Sequence, residues 1–360
     1  MKSIRAASIA LCSIGALVLA GSAVAQAPIL VLSGLDNPRG LAFAPDGALH
    51  VAEAGRGGNG PCALNGAGEL RCFGTTGAIT RLWKGQQSRV VEGLDSHALP
   101  DGSSALGPND ISFQGTGGAY ITMGLGGGPA FADFYKSESL GTLIRMAASG
   151  KWQVVADVTA YEFASNPAGG PVDSNPFGVL AESGDRLVVD AGANALFKVA
   201  ATGTVETLAI FPPLPNPTPV GPRMVDAVPT AVARGPDGAI LVGQLTGFPF
   251  VPGLANIYRV IPGQAPVVHC SGFKAIMDLA FGPDGSLYVV ENATGGVPPF
   301  GLFFLPNTGQ LSRVGPNCER TPLLVGLDRP TAVAVDTDGV IYVTNHGVTA
   351  GAGEVLMIAP

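Results

Sequence analysis

One phrase recurs six times along this chain: an anchor residue, an alternating apolar run, a glycine turn and a second alternating run. The copies begin at Pro38, Pro108, Pro176, Pro229, Ile276 and Pro330, and their turns close on Gly47, Gly117, Gly184, Gly238, Gly285 and Gly339. Anchor and turn glycine lie nine residues apart in five copies and eight in the third. A repeated unit of this size cannot bury its apolar face alone, so each copy must stack on its neighbours. Alternation of period two makes each unit a small antiparallel sheet. The expected fold is all-β: a single six-bladed β-propeller of four-stranded blades over residues 26–360.

Each blade can be laid out strand by strand. The run after the anchor is the innermost strand, and the Asp-Gly turn leads into the second, as in Ala48–Ala52 and Ser286–Val290. Such a turn needs positive φ, which glycine supplies without strain. The third strand carries a base between apolar residues: Arg81, Arg145, Lys198, Arg259 and Arg313, with Met357 in the last copy. Ion pairing that blunts exposed sheet accounts for these bases. The last copy ends after its third strand, and Ile29–Leu35 resembles the fourth strand Pro322–Leu327, so the ring is expected to close by joining its ends. Surplus length falls mostly between strands two and three, at 55–74, 124–140, 246–255 and 293–308. Loops of this kind gathered on one rim form a binding face. The proline-rich run 211–222 reads as a stiff connector between blades three and four.

Residues 1–25 have the pattern of a cleaved export signal: Lys2 and Arg5, an apolar run from Ala6 to Ala20, then Ala23-Val24-Ala25. The run is too short to span a bilayer. Cleavage leaves 18 basic residues against 27 acidic, a formal charge of −9. That charge argues against nucleic acid or an anionic membrane as partner. A monomer in the periplasm or outside the cell, with no membrane insertion, is the expectation. Four cysteines remain, an even number that favours disulfides in an oxidising compartment. Cys62 and Cys72 close a short glycine-rich loop. Cys270 and Cys318 are the other pair, left open because their places on neighbouring blades could fall at opposite rims.

Two positions per blade point toward the channel mouth. Inner strands start with Arg39, Asn109, Phe177, Thr230, Met277 and Thr331. Second strands end with Glu53, Met123, Asp190, Gln244, Glu291 and Asn345, five of them polar at the tail of an apolar strand. They either cap strand ends and bond loop backbone or line a ligand site. The candidate binding residues are Glu53, Asn109, Asp110, Asp190, Gln244, Glu291 and Asn345. Asn109, Asp190 and Glu291 are the candidate ligands for a hard cation, with calcium the cofactor considered. Arg39 is the alternative counter-charge, giving an ion pair in place of a metal. His346, beside Asn345, is the histidine best placed for acid–base work. No Ser-His-Asp arrangement, His-Glu-x-x-His, phosphate loop or dinucleotide fingerprint is present, and nothing in the sequence demands catalysis.

The unit Pro38-Arg39-Gly40-Leu41-Ala42-Phe43, then Pro45-Asp46-Gly47, with a basic third strand, resembles the NHL-type repeat. With the export signal and glycine-rich insertions, the mature chain resembles the exported ScyD/ScyE family associated with scytonemin biosynthesis. Gluconolactonases and paraoxonases are similar in architecture, which implies a channel-mouth calcium held by Asn and acids at inner-strand starts. Asn109 matches such a position; Arg39, Phe177, Thr230, Met277 and Thr331 differ. Quinone-dependent sugar dehydrogenases are similar in blade one, at Gly40–Gly47 and Glu53. The leading expectation is a binding or scaffolding propeller that presents its channel mouth to a small molecule or protein. The alternative is a cation-assisted hydrolase or isomerase acting on a lactone-like substrate.

Overall fold

The computed structural model describes residues 27–115 and 118–358. The segment read as an export signal, Cys12, Gly117 and the C-terminal Pro360 lie outside those residues. The chain is a six-bladed β-propeller whose blades are antiparallel sheets in sequence order around the ring. Blade 1 comprises Pro38–Phe43, Leu49–Glu53, Leu70–Trp83 and Gln86–Ala98. Blade 2 comprises Pro108–Phe113, Ala119–Met123, Thr142–Met146 and Trp152–Asp157. Blade 3 comprises Pro176–Ala181, Asp185–Asp190, Ala195–Ala200 and Val205–Ile210. Blade 4 comprises Pro229–Arg234, Ile240–Gln244, Ala255–Val260 and Val267–Phe273. Blade 5 comprises Ile276–Phe281, Leu287–Glu291, Gly309–Val314 and Arg320–Leu327. Blade 6 comprises Val333–Val335, Ile341–Asn345 and Gly353–Ile358, and its outer strand is the N-terminal Ile29–Leu35. Ile29 pairs with Met357 and Leu35 with Gly353, so the ring is fastened by hydrogen bonds between the two ends.

The turn glycines Gly47, Gly184, Gly238, Gly285 and Gly339 all have φ between 79° and 94°. The apolar residues between them form clusters shared by adjacent blades. Leu41 and Val51 of blade 1, for example, pack with Ala332 and Ala334 of blade 6. Burial between blades is the hydrophobic term that holds the ring.

The third-strand bases behave as surface partners. Arg81 meets Asp46 at 2.7 Å, Arg259 meets Asp237 at 2.7 Å, Arg313 lies 3.8 Å from Asp284, and Lys198 pairs with Glu206. Three of those acids belong to the Asp-Gly turns.

Several insertions are more ordered than a loop. In blade 1, Cys62–Leu64 forms an added strand against an extended third strand, with Cys62 directly opposite Cys72 and disulfide-bonded to it. The blade 2 insertion carries helix α1, Pro129–Tyr135. Helix α2, Val158–Ser165, stands between blades 2 and 3, started by Asp157, whose carboxylate accepts from Ala160 N–H at 2.8 Å. The proline-rich segment turns back as a short hairpin, Leu214–Pro215 against Met224–Val225. Cys270 and Cys318 are also bonded, with Cα atoms 5.6 Å apart. Cys270 sits in the middle of its outer strand, at the height of the next blade's turn, so the two are not at opposite rims.

Candidate functional site

The end of the propeller where inner strands begin is its upper end, and the strand two–three insertions share it. There the strand-end side chains have one repeated task. Glu53 accepts from Asp36 N–H at 2.7 Å, Asp190 from Asn175 N–H at 2.6 Å, Glu291 from Lys274 N–H at 2.8 Å, and Asn345 from Asp328 N–H at 2.8 Å. Each donor belongs to the segment that leads into its blade's inner strand. The side chain thus pins that segment to the second strand and satisfies a backbone group that would otherwise be orphaned. Asp190 also accepts from Ser174 Oγ at 2.7 Å and from Gly192 and Ala193 N–H, each at 3.0 Å. Burial raises the pKa of Asp190 and Glu291, and these hydrogen bonds partly offset it. Gln244 is buried beside Asn256, with its amide nitrogen unpaired, and Met123 lies in the core.

The inner-strand starts stitch neighbouring blades. Asn109 donates to Pro176 O at 3.0 Å, Thr230 Oγ1 to Ile276 O at 2.7 Å, and Thr331 Oγ1 to Pro38 O at 2.6 Å. In each case the acceptor is the anchor carbonyl of the next blade. Asn109 Oδ1 is buried and without a hydrogen-bond partner. Arg39 donates to Ala105 O at 2.7 Å, and burial lowers its pKa to about 10, with Arg71 adding to the shift. The proposed Arg39 ion pair is therefore corrected: no acid pairs with Arg39 among the described residues. Arg89, from the outer strand, supplies the counter-charge and bridges Glu53 at 2.8 Å and Asp36 at 3.0 Å. Phe177 and Met277 join one apolar cluster across the channel.

One position further in, two carboxylates repeat the same contact three blades apart. Asp110 accepts from Val179 N–H at 2.8 Å, and Asp278 from Val333 N–H at 2.9 Å, each reaching the next inner strand. Gly40 occupies the corresponding place in blade 1, and a Cβ there would stand 2.2 Å from Asp110 Oδ1. Burial and the charge of Asp278 push Asp110 well above the usual carboxylate range, and burial pushes Asp278 up to about 7. Two buried carboxyls shifted upward in this way hold protons at a higher pH than exposed ones do.

Asn109, Asp190 and Glu291 stand on blades 2, 3 and 5, and no three His, Cys, Asp or Glu side chains converge as metal ligands among the described residues. His346 approaches Asp328 at 3.1 Å on the upper rim.

Sequence reasoning did not single out Glu162 and Asp173. Glu162, on α2, is raised to about 7 by burial, then by Asp190 and Asp173; Asp173 is raised to about 6 by burial and Asp190. One oxygen of each is buried without a partner. The rim also exposes an aromatic wall built by two insertions. Phe248 lies 5.7 Å from Phe303, and Phe250 lies 4.3 Å from Phe304. Phe248, Phe300 and Phe303 are 40–48% exposed. Lys274 organises the blade 5 insertion by donating to the carbonyls of Gly295, Gly301 and Phe303. Burial holds its pKa down at about 8. The sequence signal that could have marked the wall is the pair of Phe-Pro runs, Phe248–Pro252 and Pro298–Pro306, which fall in two insertions.

No family model matches this sequence, and neither does any curated protein. Solved structures do. A protein proposed to be a gluconolactonase aligns with TM-score 0.55 and 12% identity over 94% of this chain and 93% of its own. Calcium-binding regucalcin from Agrobacterium tumefaciens gives 0.55 and 13% over 92% and 93%. A protein proposed to be a glucose dehydrogenase from Thermus thermophilus gives 0.55 and 16% over 92% and 99%. At these identities the likeness extends to the fold alone.

Proposed function

We propose that this chain is an exported binding propeller of the NHL-repeat type, allied to the ScyD/ScyE proteins, that presents its upper rim to a small molecule or protein partner. The aromatic wall at Phe248, Phe250, Phe303 and Phe304 carries the reading. Apolar rings rarely stay exposed together on a rigid surface unless something covers them. The capping carboxylates hold the rim in one shape, which lowers the ordering cost of binding. Two disulfides suit an oxidising compartment, and no helix among the described residues is long and apolar enough to cross a membrane. Titration with an apolar fluorescent dye checks the reading: saturable binding is expected, lost in the double variant Phe248→Ser with Phe303→Ser. Equal dye binding by wild type and variant would reject the wall as the binding surface.

A cation-assisted hydrolase or isomerase acting on a lactone-like substrate is the second reading, favoured by the buried carboxylates Asp110 and Asp278 and the unpaired oxygen of Asn109. A screen of lactones and aryl esters with and without chelator separates the two. Chelator-sensitive turnover lost in Asp278→Asn would put the enzyme first.

A further inference from the structure

The lower end of the propeller, where the glycine turns lie, breaks the repeat at one residue. The last residue of each inner strand pairs across to the second strand, and its partners are Leu49, Ala119, Ile240, Leu287 and Ile341 in five blades. All five are buried apolar side chains. In blade 3 the partner is Arg186, opposite Ala181 and equally buried. A guanidinium at a core register gives up apolar burial and loses its water, which costs several kcal/mol unless charge and hydrogen bonds compensate.

Its hydrogen-bond partners are neutral. Arg186 donates to Gly184 O and Gln114 Oε1, each at 3.2 Å, and to the Tyr120 hydroxyl. Its Nε is buried without a partner. The nearby Glu182 turns its carboxylate to Arg234 instead. The guanidinium lies 4.0 Å from the centre of the Tyr120 ring, and that of Arg145 lies 6.0 Å from the same ring. Two like charges are therefore gathered around one phenol. They flank a cavity of about 420 Å³ between blades 2 and 3, whose lining adds Gln153 and Thr202 and contains no acid. In a chain with an acidic excess, that combination calls for an anion.

We propose that this cavity is a binding site for a small organic oxyanion, with a carboxylate or phosphoryl head group held by Arg186 and Arg145. Guanidinium groups match the geometry of both heads, forming charge-assisted hydrogen bonds. An anion seated in the cavity gives Arg186 the counter-charge that its neutral hydrogen-bond partners do not supply. The cavity exceeds the volume of a bare oxyanion, and Val154 and Ala201 offer apolar surface to the remainder of the ligand. The site lies between blades 2 and 3 at the lower end of the propeller, and it does not depend on how the rim with the aromatic wall is used.

The test is calorimetric titration of the mature protein with inorganic phosphate, acetate and citrate, against chloride at matched ionic strength. Saturable binding is expected for phosphate or a carboxylate, and the arm that saturates identifies the head group. Arg186→Leu restores the residue type of the other blades and should weaken binding by about tenfold or more. Arg186→Lys, which keeps the charge but loses the fork, should fall in between. If Arg186→Leu fails to fold, Arg186→Lys and Arg145→Gln decide by the same measurement. Behaviour of all three anions identical to chloride, or unchanged binding in the variants, would overturn the site.

Discussion

The upper and lower ends of this propeller treat buried charge in opposite ways. At the upper end, Asp190 is fully enclosed yet accepts from four donors, three of them backbone N–H groups. At the lower end, Arg186 is nearly as enclosed, yet its hydrogen bonds go to neutral acceptors and one nitrogen has none. A buried charge woven into backbone is part of the fold, whereas one set into a core register without a counter-charge is at the disposal of a ligand. The difference has a direct consequence for stability. Asp190→Ala leaves buried backbone donors unpaired and should cost about 3 kcal/mol or more. Arg186→Leu replaces a buried ion by the apolar residue its neighbours use and should stay within about 1 kcal/mol of wild type. Urea unfolding of the two variants measures both. Equal losses would erase the distinction.

The ties between blades sharpen the same comparison at a smaller scale. Thr331 donates to Pro38 O and lies 2.8 Å from Thr344 Oγ1, at the junction where blade 6 meets blade 1. Thr331→Val keeps the shape and removes the hydroxyl, so a loss of about 1–2 kcal/mol is expected. No change in the urea midpoint would mean that the closing strand Ile29–Leu35 alone fastens the ring.

The propeller was legible because anchor, alternation and turn glycine are local and recur. Even the closing strand could be read from the likeness of Ile29–Leu35 to Pro322–Leu327. The polar strand ends were legible as positions and not as roles. Accepting a backbone N–H and holding a cation both call for Asp, Glu or Asn, and the donor lies 15–17 residues back in the chain, at a place no motif marks. Glu162 and Asp173 were invisible for another reason: α2 and the segment after it fall between repeat units, where no period constrains the chain. Arg186 stood in the open as a base two residues after its turn glycine, where the other copies carry apolar residues, but only the packed structure shows it buried with neutral partners.

The acidic groups of the upper end should also show in the pH dependence of stability. Glu162 and Asp278 are raised to about 7 and Asp173 to about 6. Between the ordinary carboxylate value and those values, the native state holds protons that the unfolded chain has released. Stability must therefore fall as pH rises through that window and level off above it. The exposed turn acids Asp237 and Asp284 are shifted down and act in the opposite sense, losing their contribution only in more acidic solution. The melting temperature should be higher at about pH 5 than at about pH 8. Glu162→Gln should flatten part of that slope, while Arg186→Leu should leave it unchanged. A rising profile would mean that these carboxyls are ionised in the native state.

Calcium gives the smallest expected effect and the sharpest separation of the two functional readings. A ligand that binds only the native state stabilises it by RT ln(1 + [L]/Kd), so a site filled at millimolar calcium must raise the melting temperature with concentration. The oxygens of Asp190 and one oxygen of Glu291 already accept from protein donors, and Asn109 contributes only one unpaired oxygen. Displacing those donors would orphan the segments they hold, so calcium at Asn109, Asp190 and Glu291 would have to offset the loss of the caps. At about ten millimolar calcium the expected change is therefore below about 0.5 kcal/mol, within the effect of ionic strength. Magnesium and sodium at matched ionic strength set the baseline. A saturable rise specific to calcium, abolished by Asp190→Asn with Glu291→Gln, would show that the caps open to admit the ion. If Asp278→Asn abolishes the rise instead, the cation belongs to the channel pair, and the hydrolase reading gains the metal it needs.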